Sequence, residues 1–219
     1  MGCQKFMYIV PRLLSRLRLP PIAAAAIGII FCATTWAAPQ KIGRALLTFY
    51  WMADESSPKY RGKPTAMLRD VSGHMIARTQ RRFKIDLVRQ GSGWLRDGRT
   101  LIYVKKAAGE SRFRVVSAQY GLGSTGCPLI PYRTIAVDPR FVKLGSKVYI
   151  PQLKGAKLPD GTVHDGMFIA ADRGSFRGAH VDLFAGAGSR GARPFIRRGY
   201  GSLSHVTVYV DGRADGCRP

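Results

Sequence analysis

Carboxylates are scarce in this chain. Of its 219 residues, 13 are Asp or Glu against 35 Lys or Arg, a formal charge of +22 at pH 7. Chemistry that needs many acids is therefore poorly supplied, and an acid placed at the end of a strand stands out. Cysteine is also sparse, with four residues, two of them (Cys3 and Cys32) in the first 38. No H-E-x-x-H and no paired C-x-x-C occurs, which removes the common zinc arrangements. The four histidines are His74, His164, His180 and His205. His164 and His180 lie near Asp172 and Asp182 in sequence, but surface or hydrogen-bonded histidines are the simpler account, and no metal is expected. "AGSRG" (187–191) and "LGSTG" (122–126) each miss the nucleophile elbow G-x-S-x-G by one glycine. The glycines of "GLGSTGCP" are not followed by G-K-[ST], so a phosphate loop is absent and no nucleotide cofactor is implied. No internal repeat, low-complexity tract or dividing linker follows the first 38 residues.

What is present begins with a leader. Lys5, Arg12, Arg16 and Arg18 precede the apolar run "IAAAAIGIIFCATTWAA", and small residues near Thr35 and Ala37 fit a cleavage site. Residues 1–38 thus read as a signal peptide, with an uncleaved N-terminal anchor as the alternative. Either way the body is exported, to the periplasm or cell envelope or beyond it. Removing residues 1–38 takes away four positive charges and no negative ones, leaving a formal +18. Such charge usually suggests nucleic acid, but export argues against it. Anionic wall polymers or a membrane surface are the partners that the same long-range attraction would find outside the cell. An exported chain with two remaining cysteines often pairs them, so a Cys127–Cys217 disulfide is expected.

The body is a succession of short β-type runs between Gly, Asp and Pro turns. "ALLTFYWMA" (45–53), two strands around Ser72-Gly73, "RFKIDLV" (82–88) and "GWLRDGRTLIYVKK" with its Asp97-Gly98 turn open the series. "RFRVVSA", "TIAVDP", "SKVYIPQL", "GMFIAAD", "HVDLFAG" and "HVTVYVDG" complete it. Ten or eleven strands with few helical periods predict an all-β barrel or sandwich in a single domain. Only 187–199 is read as a short helix, and 54–64 as a loop.

The run "GMFIAADRG" carries an apolar strand into Asp172. Burial at a strand end raises a carboxyl's pKa, and a raised pKa suits a general acid. Asp182, ten residues on, meets Asp172 if the intervening loop folds back. Asp138, before Pro139, reads by itself as a turn residue, suited to bonding backbone amides. Thr48 and Tyr50 share one strand face and can meet a sugar. Tyr120, Trp94 and Trp51 are candidates for stacking on one.

The runs "TIAVDPRFVKLGSKVYIP", "GMFIAADRGSFRGAHVDLF" and "HVTVYV" are similar to the 3D domain, named for three aspartates, here Asp138, Asp172 and Asp182. The resemblance spans 112–210. "GSGWLRDGRTLIYV" and "LLTFYW" also resemble segments of proteins like the membrane-bound lytic transglycosylase A. It implies a six-stranded double-psi β-barrel with extra strands and hairpins: barrel strands and a hairpin insert at 39–111, the barrel core at 112–210, and a tail at 211–219. It implies peptidoglycan glycan strands as partner and a lyase-type cleavage between N-acetylmuramic acid and N-acetylglucosamine, with Asp172 as catalytic acid, Asp182 and Asp138 supporting it, and Thr48, Tyr50, Tyr120, Arg173 and Gly174 near substrate. Arg173-Gly174-Ser175 departs from the small residues that many relatives carry after the catalytic aspartate. Residues 54–93 are also too few for the family's second domain at full size, so a groove lacking its second wall is expected. A non-catalytic, wall-binding barrel with Asp172 ionised against Arg173 is the alternative.

Overall fold

The computed structural model describes residues 38–214 and 216–219. The leader expected at 1–38, including Cys3 and Cys32, lies outside the described residues apart from Ala38. No helix among the described residues is long and apolar enough to cross a membrane.

Eleven strands form among the described residues. They are β1 (Gln40–Asp54), β2 (Ala66–Arg69), β3 (Met75–Thr79), β4 (Ser92–Trp94), β5 (Thr100–Ala107), β6 (Glu110–Val116), β7 (Thr134–Val137), β8 (Ser146–Tyr149), β9 (Met167–Arg173), β10 (His180–Ala187) and β11 (Ser204–Arg213). Two helices join them, α1 (Arg81–Gln90) and the single turn α2 (Arg193–Ile196). Six strands run in the order β10-β7-β9-β8-β11-β1, and β1 pairs back onto β10. The barrel is closed, which leaves it no free edge. This is the six-stranded barrel that the resemblance implies. Alternating residues fill it: Ala45, Leu47 and Phe49 from β1, Val181, Leu183 and Ala185 from β10, and Val206 and Val208 from β11 share one buried cluster.

The other five strands grow from the end of β1. Ala53 and Asp54 pair in parallel with Gly93 and Trp94, and the sheet continues β4-β5-β6-β2-β3. A Cβ at Gly93 would stand 2.7 Å from the Ala53 carbonyl oxygen, so only glycine lets the two strands meet. This extension has its own core of Tyr60, Leu68, Phe83, Leu87, Leu101 and Phe113. The Asp97-Gly98 hairpin forms as expected, with the Leu95 N–H bonded to Arg99 O at 2.9 Å.

Residues 82–88 are not a strand. They lie in α1, and the reason is local. In "RFKIDLV" Phe83, Ile85 and Leu87 alternate as a strand does, while Phe83, Leu87 and Val88 at i, i+4 and i+5 suit a helix. The helix buries Phe83 and Leu87 and leaves Ile85 50% exposed. Gln80 caps its start by accepting from the Arg82 N–H, and Gly91, at φ 81°, closes its end with an N–H to Leu87 O. Helix does form within 187–199, as a 3-10 turn at Ser189–Ala192 followed by α2.

Candidate active site

Four neighbouring strands bring the acids together. Thr48 on β1 is in register with Asp182 on β10, Asp182 with Ala136 on β7, and Ala136 with Asp172 on β9. Simple alternation would point Asp172 inward, because Phe168 and Ala170, four and two residues before it, fill the barrel. A bulge intervenes. Between Thr134 and Ala136 on β7 the partner advances from Ile169 to Asp172, one residue too many. The extra residue turns Asp172 to the outer face, beside Asp182, as bulges near active sites do. The loop before β7 takes up the freed backbone: the Ala171 carbonyl accepts from the Thr125 N–H (3.1 Å) and Thr125 Oγ1 (3.0 Å).

That loop also holds the carboxylate. Asp172 Oδ1 accepts from the Ser124 N–H (3.0 Å), Ser124 Oγ (2.8 Å) and its neighbour's Arg173 N–H (2.8 Å). Among the described residues Oδ2 accepts only the Tyr50 hydroxyl, at 3.3 Å. The Cys127–Cys217 disulfide fixes the same loop, with a Cα–Cα separation of 5.4 Å, and packs against Ile169 and Ala171. The Arg173 side chain makes no ion pair with Asp172; among the described residues Asp172 has no ion-pair partner within 4.0 Å. The Arg173–Asp172 pair of the alternative reading does not form.

Asp182 is set differently. Its Oδ1 accepts from Thr48 Oγ1 at 2.7 Å, and Thr48 Oγ1 meets His180 Nε2 at 2.7 Å. Burial pushes Asp182 up to about 6; the Thr48 hydroxyl opposes the shift and the Asp172 charge adds to it. Burial, then the two carboxylates, hold the Tyr50 hydroxyl well above its ordinary range, so it stays a neutral donor. Burial lowers His180 below its usual range, and Phe176 stacks on its ring at 3.7 Å.

A cleft of about 670 Å3 opens over these groups. Tyr50, Asp172, Asp182, Arg173 and Gly174 line its barrel side, and Arg89, Gln90, Tyr103 and Arg114 its opposite side. The expectation of a groove without a second wall is thus corrected: α1, β5 and β6 of the short extension supply one. A Cβ on Gly174 would fall 2.2 Å from the Phe176 ring, so the glycine lets that ring close over the cleft.

Other candidates lie apart. Tyr120 does not line the cleft; it packs on Trp94 (5.5 Å) and Phe184 (5.7 Å), because its loop turns it toward that aromatic cluster. Trp94 donates to Gln119 O, and Trp51 packs against the barrel core. Asp138 is almost wholly buried outside the cleft. Its oxygens accept from the N–H groups of Arg140 (3.0 Å) and Gly178 (2.8 Å) and pair with the Arg140 guanidinium, which holds it well below the usual carboxylate range. It thereby ties the end of β7 to the loop that leads from Asp172 to Asp182. His164 is buried among Phe168 and Phe195 with both ring nitrogens bonded, to Tyr132 O and the Gly166 N–H. Among the described residues no group of three His, Cys, Asp or Glu is placed to hold a metal. Glu55, the other buried acid, is bonded to Thr79 and the Arg96 N–H and lines a separate cavity of about 260 Å3. Ser124, in the sequence only the serine of an incomplete nucleophile elbow, holds the Asp172 carboxylate, and nothing near Arg89 or Arg114 in the chain marks them for the cleft.

Residues 133–195 match the family model of the 3D domain. No curated protein matches the chain in sequence. Among solved structures, E. coli MltA with bound chitohexaose is similar over 77% of this chain and 71% of its own, with 14% identity and a TM-score of 0.54. A membrane-bound lytic murein transglycosylase from Agrobacterium tumefaciens (14% identity; 77% and 73% covered; TM-score 0.47) and the lytic transglycosylase LtgG of Burkholderia pseudomallei (18%; 76% and 71%; 0.44) are weaker matches. All three aspartates of the sequence motif fall inside the segment 133–195 that matches the 3D domain, and the barrel that holds them shares the fold of E. coli MltA.

Proposed function

We propose that the chain is an exported cell-wall enzyme that cleaves the bond between N-acetylmuramic acid and N-acetylglucosamine in peptidoglycan by lytic transglycosylation. The observation that carries this is the pair Asp172 and Asp182, the two carboxylates lining a two-walled cleft on a barrel that shares its fold with a glycan-bound protein. Asp172 is the catalytic residue. In its acid form it gives a proton to the glycosidic oxygen, and the bond to the muramic C1 breaks. The resulting carboxylate takes the proton of the muramic C6 hydroxyl, whose oxygen bonds to C1 and closes a 1,6-anhydro ring. The proton returns to Asp172, no water is consumed, and one carboxylate serves as acid and then base.

The fixed Oδ1 and the lightly held Oδ2 suit that role. Oδ1 anchors the group to the Ser124 loop, while Oδ2 keeps its reach into the cleft. Asp182 supports the cationic character developing at C1, and Thr48 and Tyr50 orient the two acids. Arg173 and Gly174 contact the glycan, and Asp138 shapes the loop between the acids. The Cys127–Cys217 disulfide agrees with an oxidising compartment, the periplasm or outer envelope. The basic surface assists capture by anionic wall.

The test is digestion of purified sacculi by the chain lacking residues 1–38, with mass spectrometry of the soluble products. Anhydro-muropeptides support the reading. Reducing-end products would mean hydrolysis by water, and pelleting with sacculi without release would leave a binding barrel.

A further inference from the structure

Three arginines line the cleft, and among the described residues none of them stands within 4.0 Å of a carboxylate. Arg89 lies in the last turn of α1, Arg114 lies in β6 and Arg173 follows Asp172, and all three line the cavity. Arg69, Arg99, Arg112, Arg133 and Arg140 each stand within 4.0 Å of a carboxylate; exposed arginines outside the cleft, such as Arg44, Arg78 and Arg177, do not, so what sets the three cleft arginines apart is their convergence on one cavity. They come from three distant segments, yet they surround one concave surface. A guanidinium there with no carboxylate partner presents its donor fork to whatever enters, and that fork matches a carboxylate in two parallel hydrogen bonds.

The glycan chemistry of the proposed function supplies such a group on only one of its two sugars. N-acetylglucosamine is neutral. Muramic acid carries a lactyl ether, which ends in a free carboxylate when no peptide is attached. When a stem peptide is attached, the lactyl group is an amide and the peptide brings carboxylates of its own. We propose that Arg89, Arg114 and Arg173 form a carboxylate-recognising subsite, which makes the substrate a glycan bearing muramyl or stem-peptide carboxylates and discriminates against a neutral N-acetylglucosamine polymer. The identity of the sugar rests on the cleavage reading, but the subsite is read out by binding alone.

The bland competitor is the charge of the whole body, which would draw any anion. A control removes the same charge elsewhere: Lys105 and Lys106 are exposed on β5 and do not line the cleft. Affinities are measured by calorimetry on the full chain carrying Asp172→Asn, for three probes of equal length: chitohexaose, an N-acetylglucosamine–N-acetylmuramic acid hexamer with free lactyl carboxylates, and the same hexamer carrying stem peptides. At least one carboxylated probe binds about tenfold or more tighter than chitohexaose, the scale of one charge-assisted hydrogen bond. Arg89→Gln with Arg114→Gln abolishes that preference and leaves chitohexaose affinity unchanged; Lys105→Gln with Lys106→Gln preserves it. Preference for the peptide-free hexamer assigns the lactyl group as ligand, and preference for the peptide-bearing one assigns the stem. Equal affinity for all three probes overturns the proposal, as does a preference that survives the arginine pair or is lost equally with the lysine pair. If the wild type yields no anhydro products while the preference holds, the cleavage reading fails and the subsite stands.

Discussion

Replacing Asp182 by asparagine tests the electrostatics of the acid pair through stability. Asp182 sits between Thr48 and Ala136 on the barrel wall, and burial lifts its pKa from 3.8 to about 6. Between about pH 4 and about 6 the native state therefore holds a proton that the unfolded chain has released, and stability falls as pH rises through that window. A shift of about two units corresponds to about 3 kcal/mol at most, at 1.36 kcal/mol per unit. Asp182 keeps some solvent contact, so screening reduces this to about 1–2 kcal/mol. Asparagine has nearly the same shape and still offers an oxygen to Thr48 Oγ1, but it never ionises. Urea unfolding of both proteins gives similar stability near pH 4. Near pH 8 the variant is the more stable by about 1–2 kcal/mol. A difference that does not change with pH, or a variant less stable near pH 8, would refute the claim that Asp182 bears a buried-charge penalty.

Gly123→Ala places a Cβ 2.4 Å from the Ala171 carbonyl oxygen, against backbone that has little room to yield. It lowers stability by roughly 1–3 kcal/mol and frees the Asp172 carboxylate from Ser124, so activity falls further than the melting shift explains. Reducing the Cys127–Cys217 bridge, which spans a sequence separation of 90 residues, costs roughly 4–5 kcal/mol in the chain-entropy picture; unfolding curves with and without reductant measure it. His180→Leu removes the partner of Thr48 Oγ1, leaves that hydroxyl free to turn from Asp182, and moves the Asp182 titration upward, as followed by carboxyl carbon NMR. His180→Gln retains an amide donor and restores the wild-type titration.

Most of the barrel is legible in the sequence because its strands alternate and are bounded by Gly, Asp and Pro. Its closure is not, since pairing of β1 with β10 is a long-range event with no local signature. The helix over Arg81–Gln90 is missed because Phe83, Ile85 and Leu87 alternate while Phe83, Leu87 and Val88 also fit a helical face, and the Gln80 and Gly91 caps decide between them. Asp172 is legible as an acid at the end of an apolar strand. Its orientation is not, because alternation alone turns it inward and only the bulge opposite Ala136 brings it out. Ser124 and Arg114 lie 48 and 58 residues before Asp172, and nothing nearby in the chain ties them to it. Tyr120 shows the converse: an aromatic residue of the right kind, spent on packing against Trp94 and Phe184.

The most direct measurement compares the wild-type chain with Asp172→Asn on purified sacculi, scoring released anhydro-muropeptides together with the fraction of protein that co-sediments. The account predicts anhydro products from the wild type, none above background from Asp172→Asn, and equal co-sedimentation of the two. Anhydro products released by Asp172→Asn at the wild-type rate would contradict it, because the group proposed to give and then retake the proton would be dispensable.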